Sequence, residues 1–197
     1  MSKIMAELRN PSEKVKKLRR AGVIPCAVYG GSLPEPLLIQ IDLPTVSRML
    51  REKREGSKVR LEVGGKVIMS QIKEVSRNFV SHEVEHIGFQ ALSADKKVNS
   101  VAQVILLNKD TVQGIVEQML FDIPYSAFPE DMIDTVSIDL GNYAVGSMLT
   151  VGELEAFRQE NIDLQVDADT VIFKINDRRR STHSESSGES SDEPSAE

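Results

Sequence analysis

The run VRLEVGGKVIMSQIKEV, residues 59–75, sets the tightest limit on what this chain folds into. Two stretches rich in β-branched residues flank Gly64-Gly65. A two-residue glycine connection there marks a tight hairpin, because a type I′ turn needs positive φ at both central positions. Residues 4–9, 23–29, 37–42 and 80–89 are predicted to be further strands. Pro25 has no N–H to give to a ladder, so residues 23–29 are expected to form an edge or irregular strand. Two short helices lie between the strands. Ser12 is placed to cap one whose apolar positions are Val15, Leu18 and Ala21, with Gly22 to stop it. Val46, Met49 and Leu50, just after Pro44, have the spacing of the other. The expected result is a small β-barrel with short helices.

The remainder also reads as mostly β. VAQVILL, MLFDIP, TVSIDL and TVIFKI are strand candidates, and VGELEAFRQE is either a short helix or a turn. SSGESSDEPSAE is poor in apolar residues and rich in Ser and Glu, a composition that does not support a packed core. The expected class is therefore mostly β (α+β). Its divisions are a basic barrel domain over 1–92, an acidic β-rich domain over 93–178, and a disordered Ser/Glu-rich tail over 179–197.

Charge divides the chain the same way. Residues 1–92 hold 16 Lys+Arg against 10 Asp+Glu; residues 93–180 hold 8 against 15, and residues 181–197 hold 0 against 5. A formal net charge of −6 thus conceals a first segment of +6. Five cations fall within residues 14–20, KVKKLRR, at the end of a predicted helix where the helix dipole favours them. A basic segment joined to an acidic one suggests a polyanion-binding half coupled to a half with another role. A solvated charged surface explains the same counts. Arg178, Arg179 and Arg180 are read as a solvated domain end and not as a polyanion contact.

Catalytic readings do not survive inspection. HEVEH, residues 82–86, has the H-E-x-x-H spacing of a zinc protease, which requires a helix to bring both imidazoles to one metal. FVSHEVEHIGF alternates like a strand, where positions four apart are separated by about 13 Å. Cys26 lies among Pro25, Ala27 and Val28 and reads as a small buried residue. Asp163, Asp167 and Asp169 lack the glycine of a calcium loop, and GVIPCAVYGG has no phosphate-loop lysine after its glycines. No enzyme, cofactor, metal or small-molecule substrate is expected. No apolar run approaches the roughly 18 residues of a membrane span, and no signal peptide is read at the N-terminus. A lone cysteine fits a reducing compartment, so the cytoplasm is the expected location.

KKLRRAGVIPCAVYGG, followed by EVSRNFVSHEVEHIGF, resembles the bacterial large-subunit ribosomal protein L-twenty-five family. IPYSAFPEDMIDTVSIDL and NYAVGSMLTVGEL resemble the C-terminal extension of its longer members, the general stress protein CTC group. Together these stretches extend the resemblance over about residues 4–176, with a poor match around 95–120. The resemblance implies a β-barrel that binds 5S rRNA within the large (50S) ribosomal subunit. By position it assigns RNA contacts to Arg9, Lys16, Lys17, Arg19, Tyr29, Arg77 and His86. Lys and Arg would neutralise phosphates, while Tyr29 and His86 would supply directional hydrogen bonds at the shallow groove of A-form RNA. Two positions depart from the family pattern: Ser76 replaces a usual Gln, and Gly88 a usual Asp. The expected consequence is retained RNA binding with reduced discrimination. The alternative is a stress-associated interaction protein whose acidic half recruits a protein partner.

Overall fold

The computed structural model describes residues 3–31, 33–159 and 161–177. The expected tail and Arg178, Arg179 and Arg180 lie outside the described residues. Its first six strands are β1 (Lys3–Leu8), β2 (Val23–Tyr29), β3 (Leu37–Asp42), β4 (Lys58–Val63), β5 (Lys66–Arg77) and β6 (Val84–Ala91). They form a closed barrel in the order β1-β3-β2-β6-β5-β4. Parallel pairing of β1 with β4 completes the ring, so none of these strands is left as an open edge. The hairpin is as expected: Gly64 and Gly65 have φ of +56° and +80°, and Val63 pairs with Lys66. Alternate residues fill the barrel, among them Val28, Ile39, Leu61, Ile72, Ile87 and Phe89, all fully buried.

Helix α1 (Val15–Arg20) leads into β2, and α2 (Leu43–Glu52) follows β3. The Asp42 carboxylate caps α2 by accepting from the Thr45 N–H at 2.9 Å, and Val46 and Met49 are buried against the barrel. The expected cap on α1 is corrected. Its N-cap position is Lys14, and no side chain caps it. Ser12 instead belongs to a turn upstream, where its N–H donates to Asn10 Oδ1 at 3.0 Å. Gly22 ends α1 region as expected, with φ of +74°.

Strand β2 is also not an edge. It lies between β3 and β6, but its parallel ladder with β6 begins only at Cys26 opposite Ile87. Pro25 precedes that ladder, so its missing N–H removes no bond there. The strand predicted over residues 80–89 begins later, at Val84. Residues 78–83 form the β5–β6 connection, and His82 sits in it with φ of +57°. His82 is thus in a loop and His86 in a strand, not on a helix.

The second half carries β7 (Val98–Leu107), β8 (Ile115–Gln118), β9 (Asp122–Ala127), β10 (Thr135–Asp139), β11 (Met148–Thr150), β12 (Asp163–Leu164) and β13 (Val171–Asn176). One sheet runs β10-β7-β9-β12 and another β11-β13-β8. They share a second hydrophobic core, separate from that of the barrel, with Ile123, Tyr125, Leu140, Ile172 and Phe173 fully buried. The Tyr125 hydroxyl donates to the Ile133 carbonyl at 2.8 Å and accepts from the Ile133 N–H at 2.7 Å. VGELEAFRQE resolves into two short 3₁₀ turns, Val151–Glu153 and Glu155–Phe157. No helix among the described residues is long and apolar enough to cross a membrane.

The halves meet at the segment between α2 and β4. Lys53 pairs with the Asp134 carboxylate, and Lys58 donates to the Pro129 carbonyl. The Lys58 N–H also reaches Asp134 Oδ1 at 3.3 Å, and buried Ser100 donates its hydroxyl to the Gly56 carbonyl at 2.9 Å. Gly56 has φ of +87°, and a Cβ there would lie 2.7 Å from the Val101 carbonyl oxygen. Only glycine combines that backbone with so close an approach.

Candidate nucleic-acid interface

Strand alternation fixes which side chains leave the barrel. In β6, Ile87 and Phe89 point inward, so His86 and Gly88 belong to the outer face. Across the antiparallel pair, Ser76 stands opposite His86 and Glu74 opposite Gly88. On the other side, Ala27 stands opposite Gly88. A register shift between Ile72 and Glu74 returns Glu74 and Ser76 to this face after Lys73. Three strands thus place Tyr29, Gly88, His86, Glu74 and Ser76 on one contiguous outer surface, although more than fifty residues separate Tyr29 from His86 in the sequence.

Gly88 lies beside the tyrosine. A Cβ built there would be 3.6 Å from Tyr29 Cε1 and 3.6 Å from the Glu74 Cβ, an ordinary contact. The glycine itself is buried, and the absence of a side chain lets the Tyr29 ring, 37% exposed, pack close over the strand. Ser76 makes a short internal bond, donating from Oγ to Glu74 Oε1 at 2.8 Å. Its hydroxyl is engaged within the protein and extends little beyond the sheet.

Cations surround this surface. Arg19, at the end of α1, donates from Nε to the Glu85 carbonyl at 3.0 Å and lies 3.6 Å from the Glu85 carboxylate. Arg9 follows β1, is half-buried, and donates to the Glu13 carbonyl at 3.4 Å. Lys16 and Lys17 are exposed on α1, Lys17 in an i, i+4 pair with Glu13 at 2.9 Å. Arg77 ends β5 and donates to the His82 carbonyl at 3.3 Å, leaving its side chain largely in solvent.

The fields of Arg9 and Arg19 both reach His86. Burial is the main cause that lowers the His86 pKa below its ordinary value; Glu74 opposes it, and the two arginines add to it. The imidazole is therefore neutral at pH 7, with one donor and one acceptor available. Burial and the Glu74 charge both raise the Tyr29 pKa, so its phenol keeps its proton. Burial also pushes the Cys26 thiol up to about 12, which makes it unreactive at neutral pH.

Arg9, Arg19, Tyr29 and His86 are thus brought together, with Arg77 at the far end of the same hairpin and Lys16 and Lys17 on the adjoining helix. Glu74 and Glu85 were not singled out from the sequence, yet both touch the expected contact residues. A strand-face count would have flagged Glu74, which alternates with partly buried Val75 toward Ser76. Nothing local would have flagged Glu85, because its partner Arg19 is 66 residues away.

Comparison with known proteins agrees with this geometry. Residues 4–89 match the model of the Ribosomal L25p family, and residues 97–179 match that of Ribosomal protein TL5, C-terminal domain. The large ribosomal subunit protein bL25 of Ralstonia nicotianae is 30% identical over 147 residues, covering 71% of each chain. The Syntrophomonas wolfei protein of the same name is 26% identical over 179 residues, covering 88% of this chain and 84% of its own. That of Bacillus pumilus is 24% identical over 164 residues, covering 82% and 77%. With a closed barrel under the first match and the two β-sheets under the second, this chain belongs to the bL25 family of ribosomal proteins, in its long form with a TL5-type C-terminal half.

Proposed function

We propose that this protein is a structural, non-enzymatic component of the large ribosomal subunit in the cytoplasm, and that it binds 5S rRNA through the outer face of β2, β6 and β5 with α1 beside it. The observation that carries this reading is the convergence of Arg9, Arg19, Tyr29 and His86 around one open surface of a closed barrel. Family membership supports it. A convex sheet face with neutral directional groups and a cationic rim suits the wide, shallow minor groove of A-form RNA. Arg9, Lys16, Lys17, Arg19 and Arg77 supply phosphate neutralisation, Arg9 and Arg77 with forked geometry, and His86 and Tyr29 supply hydrogen bonds that depend on position. On this reading residues 1–92 carry the RNA contact, and residues 93–178 form the acidic half that accompanies it.

Ser76 and Gly88 reduce the number of directional contacts, since one hydroxyl is bound to Glu74 and the other position has no side chain. Binding that rests mainly on phosphates follows, with less discrimination than a full set of polar contacts would give. The test is titration of the full chain against 5S rRNA and against an unrelated hairpin over a range of salt. The expected result is tighter binding to 5S rRNA, with log affinity falling linearly with log salt for both RNAs. Equal affinity for the two RNAs overturns the assignment.

A further inference from the structure

The β5–β6 connection presents a feature that the proposed contact residues do not use. Phe79 is 97% exposed and Val80 is 90% exposed, side by side at the tip. The loop beneath them is tightly tied. Asn78 Oδ1 accepts from the N–H groups of Val80 at 2.9 Å and Ser81 at 3.1 Å, and the Asn78 amide donates to Glu85 at 2.9 Å. The Asn78 N–H donates to the Glu83 carbonyl at 2.9 Å, and the His82 N–H to the Asn78 carbonyl at 2.9 Å. A phenylalanine at the tip of a loop tied by this many bonds is displayed, not left over from packing, and much of the backbone ordering a partner would require is met beforehand.

Its surroundings define the partner. Phe79 lies three residues beyond Ser76 on the strand that carries the proposed RNA face. Arg77 stands at the base of the loop, and Asn78 connects through the Glu85 carboxylate to Arg19. An aromatic ring at the margin of a cationic surface is the arrangement on which proteins stack unpaired bases, because every base offers a π-face and the neighbouring cations take its phosphates. We infer that Phe79 stacks on an unpaired base at the edge of the RNA segment bound by β2, β6 and β5, and so fixes how far along that RNA the protein sits. This rests on the proposed RNA-binding function.

The experiment compares the full-length parent with Phe79→Ala, Phe79→Trp and Phe79→Leu in titrations of 5S rRNA at several salt concentrations. Because the ring makes no packing contact, thermal unfolding serves as the control and should not change. Phe79→Ala is expected to weaken binding by roughly 5- to 100-fold with an unchanged salt slope, since no charge is removed. Phe79→Trp is expected to keep the parent affinity, and Phe79→Leu to behave like Phe79→Ala. Parent-like affinity of Phe79→Ala overturns the stacking contact alone, as does full rescue by leucine, which would mark apolar contact with the RNA without ring stacking. A parent that does not prefer 5S rRNA overturns the RNA assignment and this inference with it.

Discussion

In the barrel, Lys16 and Lys17 stand in solvent and Arg19 lies along the rim, whereas in the second half Asp134 turns back toward the barrel and takes Lys53. The same inward direction is seen in backbone acceptors: the Pro129 and Asn99 carbonyls receive Lys58 and Gln71. One region displays its charge, and the other uses part of its charge and its carbonyls to hold its neighbour. The acidic balance of residues 93–180 is therefore not only a solvated surface; one of its carboxylates belongs to the joint. The difference teaches that a charge count says which half is suited to a polyanion but not which charges remain available for one.

The largest expected effect comes from reversing the displayed charges. Lys16→Glu, Lys17→Glu and Arg19→Glu together should abolish 5S rRNA binding in a filter or anisotropy assay while the protein still folds, with a lower unfolding midpoint because the Arg19–Glu85 and Lys17–Glu13 contacts are lost. Next is the joint. Gly56→Val forces a Cβ against the Val101 carbonyl and a branched residue into positive φ, so unfolding should show a loss of more than about 1 kcal/mol. A transition that splits in two would show that the joint couples the halves. Asp134→Ala leaves Lys53 without its carboxylate at a half-buried site and should cost about 1 kcal/mol in denaturant melts. An unchanged midpoint would mean that the joint rests on its other contacts, those of Gly56, Ser100, Lys58 and Gln71. Ser76→Gln should raise the preference for 5S rRNA over an unrelated hairpin by a few-fold, since one added directional bond contributes about 0.5–1.5 kcal/mol.

The smallest effect is a pH dependence. The folded His86 pKa lies below its ordinary 6.5, so below that pH the unfolded chain binds more protons than the folded one. The stability that His86 contributes is present above pH 6.5 and declines as pH falls through the window beneath it. His86→Gln should flatten that part of the stability–pH curve; an unaltered curve would show that the imidazole does not titrate differently on folding.

Much of this architecture was legible from the sequence because it is locally encoded. The Gly64-Gly65 hairpin, α2 after Pro44 and four strands of the second half, β7, β9, β10 and β13, follow from turn chemistry and periodicity, whereas the short β8, β11 and β12 do not. Ser12 misled because a serine caps only when the helix begins directly after it, and α1 begins three residues on, at Val15. Pro25 misled because a proline needs only one free ladder position, which a late-starting parallel partner supplies. Residues 80–83 alternated like a strand, but the Asn78 bonds turn them into a loop, and a pattern of apolar residues does not register side-chain bonds to backbone. The expected RNA contacts came from resemblance and not from periodicity. Their gathering on one face, together with Glu74, Glu85 and the joint at Gly56, depends on pairings across tens of residues that no local window contains.

The parallel pairing of β2 with β6 has a consequence for biogenesis. Tyr29 emerges from synthesis nearly sixty residues before His86, and the two become neighbours only when the sixth strand of the barrel slides in beside the second. Non-local closure of this kind is slow relative to hairpin formation. A half-made chain thus owns the cations of α1 but not the sheet face beside them; on the proposed function, selective docking would switch on only with the final fold.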